Sequence, residues 1–129
     1  MKNLIALALI VLSTSVFAQS KTKVENVDAA TFKKHIDEKK GLVIYLRTDA
    51  ELESKGTIKG AIKIDYLSKD SEIRISKLDK SKTYLIYCAA GGRSSECVEL
   101  MQKQGFSHVI HLEKGFDDWK KKGFETVKK

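Results

Sequence analysis

The sequence has little of several residues that would define other protein classes: no proline, one tryptophan, three histidines and two cysteines among 129 residues. Without a proline-rich stretch, a low-complexity stretch or an internal repeat, nothing in it marks a linker or a second domain. Two cysteines allow at most one disulfide, which excludes a multi-disulfide framework. The longest apolar run, Leu4 to Leu12, falls short of the ~20 residues that a membrane-spanning helix needs.

Residues 1–18 have the pattern of a cleavable signal peptide. Lys2 provides a short positive start, Leu4 to Leu12 form the apolar segment, and Val16-Phe17-Ala18 offers the small residues that a signal peptidase recognises. We expect cleavage after Ala18, which leaves residues 19–129 as one exported domain, periplasmic or secreted. A membrane anchor is the weaker alternative because the apolar segment is short and no cysteine follows it for lipid attachment.

Charge and histidine placement do not indicate a nucleic-acid or metal site. The formal net charge is +7, but the lysines are scattered and the aromatic residues look like core residues. His108 and His111 lie three apart on a predicted strand, so their side chains should point to opposite faces and cannot share a metal. His35 has no partner nearby in the sequence. We therefore expect neither a metal nor a nucleic-acid partner.

Apolar strands alternate with helices after the leader, which predicts a parallel α/β sheet with helices on both faces. Asp28 is a suitable N-cap for the first helix, and Gly105 ends the helix that follows Cys88. The apolar residues of 65–79 fit no regular period, so no element is predicted there. The predicted strands cover 23–27 (a possible edge strand), 42–46, part of 56–64, 84–87 and 108–112, and the predicted helices cover 29–39, 93–104 and 115–121.

The stretch from Tyr84 to Ser94 has the features of a site that activates a thiol. A short apolar strand ends at Cys88, and the chain then turns through Gly91-Gly92 into a helix that begins near Arg93. Unpaired N–H groups and the positive end of the helix dipole favour a thiolate there, and Arg93 adds a full charge. The small residues after Cys88 let the backbone approach its sulfur closely. We interpret Cys88 as a nucleophile; the alternative is a buried structural thiol.

The pattern Cys88-x-x-Gly91-x-Arg93-Ser94 after a hydrophobic strand resembles the active-site loop of rhodanese-like sulfurtransferases. The resemblance implies a single rhodanese-like domain with a central, mostly parallel sheet of about five strands, flanked by helices on both faces. It extends from about residue 24 to about residue 127 through segments in the family's order, namely 47–52, 56–62, 105–106, 109–112 and 115–119.

The resemblance also implies a thiosulfate sulfurtransferase, which would move sulfane sulfur from a donor such as thiosulfate to cyanide or a thiol through a persulfide on Cys88. Arg93 would orient the loop and help to hold an anionic donor, and Ser94 would brace the loop or the helix start. Backbone N–H groups of residues 89–93 would hold the charge of the persulfide. No cofactor is required, and a protein thiol is a further candidate partner. The substrate-binding loop would comprise Ala89, Ala90, Gly91, Gly92, Arg93 and Ser94.

The sequence is compatible with two alternative functions. One is a non-catalytic rhodanese-like module that binds a partner or carries sulfane sulfur. The other is a phosphatase or arsenate reductase, whose loop between the cysteine and the arginine is longer by one residue than the four residues between Cys88 and Arg93. A shorter loop makes a smaller cradle, suited to a cysteine bearing one extra sulfur, so the loop length disfavours the second alternative.

Cys97 is the second cysteine of the sequence. Cys97 should face the sheet from the helix after Cys88, where we expect it to act as a small buried hydrophobic residue and not as a disulfide partner.

Arg47 and Glu51 are expected to form a structural ion pair. The departures from the family's pattern are Tyr45 and Leu46 in place of Asp-Val, Thr57 and Lys59 in place of histidine and proline, and Lys114 in place of the first glycine of a pair.

Overall fold

The computed structural model describes residues 21–46 and 56–128. The predicted leader and the predicted Arg47–Glu51 ion pair lie outside these residues. Within them, no helix is long and apolar enough to cross a membrane. The elements, in chain order, are β1 (Lys23–Val27), α1 (Ala29–Asp37), β2 (Leu42–Tyr45), β3 (Ile62–Lys63), α2 (Ser71–Ser76), β4 (Thr83–Tyr87), α3 (Gly92–Lys103), β5 (His108–Leu112) and α4 (Gly115–Lys121).

Five parallel strands form one sheet in the order β1-β5-β4-β2-β3. β4 lies in the middle, between β5 and β2, and its four residues Tyr84–Tyr87 are all buried. A strand covered on both faces needs a continuous apolar run, which is what this segment provides. The predicted fold class, a single parallel α/β sheet with helices on both faces, is confirmed. It places Cys88 directly after the central strand, at the carboxyl edge where ligands of such sheets bind.

Each face of the sheet has its own apolar core. On one face, α1 and α4 contribute Phe32, Phe116 and Trp119, which pack with Tyr45 and Tyr87 in a cluster of aromatic rings. On the other face, α2 and α3 contribute the buried residues Ile75, Cys97, Val98 and Met101. The period-2 alternation of the strands distributes their side chains between these two cores.

Most element bounds agree with the sequence to within two residues, and α2 is the main correction. The Asp28 carboxylate accepts a hydrogen bond from the Thr31 N–H at 2.9 Å and begins α1, as its capping chemistry predicts. α2 occupies part of 65–79, where no element was predicted. It has only six residues, and of its two isoleucines Ile75 is buried whereas Ile73 is 56 % exposed. So short a helix shows no amphipathic period.

Candidate active site

The Cys88 sulfur lies at the start of α3 and is almost completely buried, with 2 % of the residue exposed. It accepts hydrogen bonds from the backbone N–H groups of Gly91 at 3.1 Å and Ser94 at 3.4 Å. The Ser94 hydroxyl lies 3.3 Å from the same sulfur. Because Gly91, the N-cap of α3, has no side chain to cap the helix, the sulfur takes the position of the capping acceptor. Such a position stabilises negative charge on sulfur.

Of the two loop glycines, Gly91 is the one that the backbone requires. Its φ is +106°, and a Cβ built there would lie 2.3 Å from the Glu113 carbonyl oxygen. Gly92 begins α3, and a Cβ built there would meet nothing within 4 Å. The predicted turn through both glycines is thus made at the first, and the helix begins one residue before the predicted start at Arg93.

The start of α4 holds the other side of the Cys88 loop. The Phe116 N–H donates to the Cys88 carbonyl at 2.8 Å, and the Asp117 N–H donates to the Ala89 carbonyl at 2.9 Å. Gly115 makes this approach possible, because its φ is +75° and a Cβ there would lie 2.3 Å from the Ala89 oxygen. The carbonyl groups of Cys88 and Ala89 are therefore satisfied by backbone amides of α4.

Arg93 connects the loop to the end of β2. It is partly buried in the first turn of α3, and its Nη1 lies 3.5 Å from the Leu46 carbonyl oxygen. Together with Cys88, Ala89, Ala90 and Gly92, it lines a cavity of about 260 Å³. All the predicted site residues therefore lie close together. Gly91 and Ser94 contact the Cys88 sulfur but do not line the cavity.

His111 is a residue of the site that the sequence analysis missed. Its Nε2 lies 2.7 Å from the Ser94 hydroxyl, and its Nδ1 lies 2.9 Å from Oδ1 of Asn26. Burial lowers the pKa of His111, although the Glu113 carboxylate opposes this shift. His108 points to the opposite face, as predicted, where it contacts Glu25 at 2.6 Å. The one sequence signal was that His111 lies two residues after Val109, so that both side chains face the α3 side of the sheet.

Cys97 lies beneath this site as a free, fully buried thiol in α3. Burial, with a smaller contribution from the charge of Cys88, raises the pKa of Cys97 to about 12. The thiol therefore stays protonated at neutral pH and has little nucleophilic character. Its burial in the apolar cluster agrees with the predicted packing role.

Comparison with protein families assigns most of the chain to one family. Residues 28–122 match the model of the rhodanese-like domain, which covers more than half of the chain. The chain belongs to the rhodanese-like family. The rhodanese-like domain contains every described element from α1 to α4, whereas β1 precedes the matched region.

Relatives of this rhodanese-like domain include named sulfur-handling proteins. It is 28 % identical over 105 residues to a sulfurtransferase of Allochromatium vinosum, covering 81 % of this chain and 95 % of that protein. It is also 28 % identical over 102 residues to the putative sulfur carrier protein YrkF of Bacillus subtilis, covering 79 % of this chain and 54 % of that protein. The chain thus spans about half of the Bacillus protein.

The solved structure of a rhodanese-related protein from Thermoplasma volcanium has the same fold, with a TM-score of 0.71 and 28 % identity. The match covers 81 % of this chain and 99 % of that one. The parallel sheet and the helices on both faces are thus those of rhodanese-like structures.

The departures from the family's pattern are accommodated in this rhodanese-like domain. Tyr45 is buried and stacks on Tyr87 with ring centroids 4.2 Å apart, so it belongs to the aromatic core. The Thr57 hydroxyl lies 2.8 Å from the Tyr87 hydroxyl, which also accepts the Ile58 N–H at 3.0 Å. Lys114 has an ordinary φ of −93°, so the glycine that it replaces is not needed at that position.

Proposed function

We propose that this protein is a sulfurtransferase that carries sulfane sulfur on Cys88, with thiosulfate or a similar anion as donor and cyanide or a thiol as acceptor. The Cys88 thiolate attacks the outer sulfur of thiosulfate and forms a sulfur–sulfur bond. The sulfur–sulfur bond of thiosulfate breaks, and sulfite leaves with its electron pair. The acceptor then attacks the outer sulfur of the persulfide, and the Cys88 thiolate is the leaving group.

The environment of the Cys88 sulfur is the observation that supports this proposal most directly. The sulfur accepts two backbone N–H groups at the start of α3, and it borders a cavity that Arg93 also lines. Fixed donors of this kind stabilise negative charge without reorganisation when it moves between atoms. The guanidinium beside the cavity favours an anionic donor over a neutral one. Since Ala89 and Ala90 carry no charge, Arg93 is the loop residue that would attract thiosulfate.

Intact mass before and after incubation with thiosulfate tests the proposal. We expect the protein to gain the mass of about one sulfur atom and to lose it again when cyanide is added. A protein whose mass does not change with thiosulfate, and that forms no thiocyanate, would contradict the proposed activity. Hydrolysis of an aryl phosphate by the same sample would instead favour a phosphatase.

A sulfur carrier is the second candidate, supported by the likeness to a putative sulfur carrier protein. The same experiment separates the two candidates through the rate of the second step. A persulfide that forms readily but resists cyanide, and passes only to a protein thiol, indicates a carrier. Rapid discharge to cyanide over repeated cycles indicates the enzyme.

We further propose that the mature protein is exported and begins at Gln19, after removal of residues 1–18. The support is the positive start, the apolar segment and the small residues that end at Ala18. N-terminal sequencing of protein expressed with its leader in a bacterium should give Gln19 in the periplasmic fraction. Recovery of uncleaved protein that begins at Met1 from that fraction would contradict this.

A further inference from the structure

A chain of hydrogen-bonding groups runs from the Cys88 sulfur across the α3 face of the sheet to the exposed Asn26 of the edge strand β1. The Ser94 hydroxyl lies 3.3 Å from the sulfur and 2.7 Å from Nε2 of His111. On the other side of the ring, Nδ1 lies 2.9 Å from Oδ1 of Asn26, which stands opposite His111 in the β1–β5 register. Ser94 and His111 are buried, with 0 % and 2 % exposed, whereas Asn26 is exposed. Three polar residues from different elements thus connect a buried sulfur to the surface.

The donors and acceptors of this chain define one arrangement when Cys88 is a neutral thiol. Oδ1 of Asn26 can only accept, so Nδ1 of His111 carries the proton of a neutral ring. Nε2 is then an acceptor, and the Ser94 hydroxyl donates to it at 2.7 Å in preference to the Gly91 carbonyl oxygen, which lies farther away at 3.2 Å. A hydroxyl has one proton, so Ser94 can offer the sulfur only its lone pairs. The thiol S–H therefore donates to Ser94.

Negative charge on the sulfur requires the opposite arrangement. A thiolate has no proton to donate, and a hydroxyl that donates a hydrogen bond to it stabilises its negative charge. Ser94 can do this only if Nε2 of His111 releases the hydroxyl proton and donates its own N–H. Nδ1 remains bonded to Asn26, so Nε2 must gain a proton.

We propose that His111 is a positioning residue that takes up the proton of the Cys88 thiol through Ser94 and thereby turns the Ser94 hydroxyl toward the charged sulfur. The S–H bond breaks and its electron pair stays on sulfur. The proton passes to Ser94 Oγ, whose own proton moves to Nε2, where a new N–H bond forms. The proposal extends the proposed sulfur transfer, because it concerns how the nucleophile of that reaction is generated.

The charged groups around the ring are consistent with this exchange. Glu113, just beyond the end of β5, favours the protonated ring, while burial lowers the pKa of His111 when its surroundings are neutral. From β1 the ring meets the neutral amide of Asn26, and from α3 the neutral hydroxyl of Ser94. The guanidinium of Arg93 is directed to the Leu46 carbonyl. The His111 ring can therefore accept the proton, and the Cys88 thiolate that forms at the same time provides the negative counter-charge for the protonated ring.

The pH dependence of Cys88 alkylation by iodoacetamide tests this role in a Cys97→Ala background, where Cys88 is the one remaining cysteine. His111→Gln keeps a hydrogen-bonding group next to Ser94 but cannot take up a proton, and Ser94→Ala removes the bridge. In both variants we expect the midpoint of the rate profile to rise by about one pH unit, which makes alkylation about tenfold slower below it. His108→Gln is the matched control on the same strand and should leave the profile unchanged.

A His111→Gln profile that coincides with the parent profile would overturn the proposal and leave His111 as a structural brace. NMR titration of the His111 ring provides a test without any substitution at that position. Alkylation removes the negative charge from Cys88, so we expect the titration midpoint of His111 to fall by about half a unit or more. An unchanged midpoint would also overturn the proposal. Neither readout uses thiosulfate, so failure of sulfur uptake with these shifts present would refute the proposed function alone.

Discussion

Replacement of Cys88 by serine is expected to abolish uptake of sulfur from thiosulfate, with a rate loss of about three orders of magnitude or more. A serine hydroxyl is not ionised at neutral pH and forms no persulfide. The fold should survive, because a serine oxygen can accept the same N–H groups of Gly91 and Ser94. Intact mass after thiosulfate, combined with thiocyanate production in the presence of cyanide, measures the loss.

Cys97→Ala is the matched control for this result. Cys97 is fully buried in the core of the α3 face, and burial raises its pKa to about 12. Its replacement should leave sulfur uptake intact and cost about 1 kcal/mol or somewhat more of stability, the order expected for a small core truncation. If Cys88→Ser retained the sulfur adduct and Cys97→Ala lost it, the nucleophile would be Cys97.

The sheet was predictable because its buried strands are largely apolar runs between clear breaks, although β5 also contains His108 and His111. Leu42–Tyr45 and Thr83–Tyr87 are short runs rich in β-branched and aromatic residues, which favour strands. The edge strand Lys23–Val27 was predicted only as a possible strand within a polar segment. The helix Ser71–Ser76 was missed since only one of its isoleucines is buried. An element that short is held by tertiary contacts, which local sequence does not record.

The Cys88 loop was also predictable from the sequence, whereas the contact of His111 with Ser94 was not. Cys88, Gly91 and Arg93 lie close together in the chain, and their chemistry follows from a strand that turns into a helix. His111 reaches Ser94 only because β5 pairs with β4 in the parallel register that aligns His111 with Ile86. A lone histidine on a strand gives no sign of its partner until this register is known. Long-range pairing therefore decides which side chains support the sulfur.

The sharpest structural prediction concerns the two adjacent glycines of the loop. Gly91→Ala should lower the free energy of unfolding by about 2 kcal/mol or more, because its φ of +106° disfavours any side chain and the new Cβ would lie 2.3 Å from the Glu113 carbonyl oxygen. Gly92→Ala adds a methyl group at a helical position with nothing within 4 Å, so its stability should stay equal or rise by about 0.5–1 kcal/mol. Urea denaturation of the two variants beside the parent gives both values.

Gly91→Ala should also change the reactivity of Cys88, which a substitution at an ordinary core position would not do. The N–H of Gly91 donates to the Cys88 sulfur at 3.1 Å, so a backbone displaced by the new methyl group moves this donor as well. We expect the folded Gly91→Ala protein to alkylate more slowly at neutral pH than the parent, because the thiolate loses a fixed donor. A Gly91→Ala protein that matched the parent in both stability and alkylation would show that the turn tolerates a side chain. The close approach of the loop to Glu113 would then not be what holds the sulfur in place.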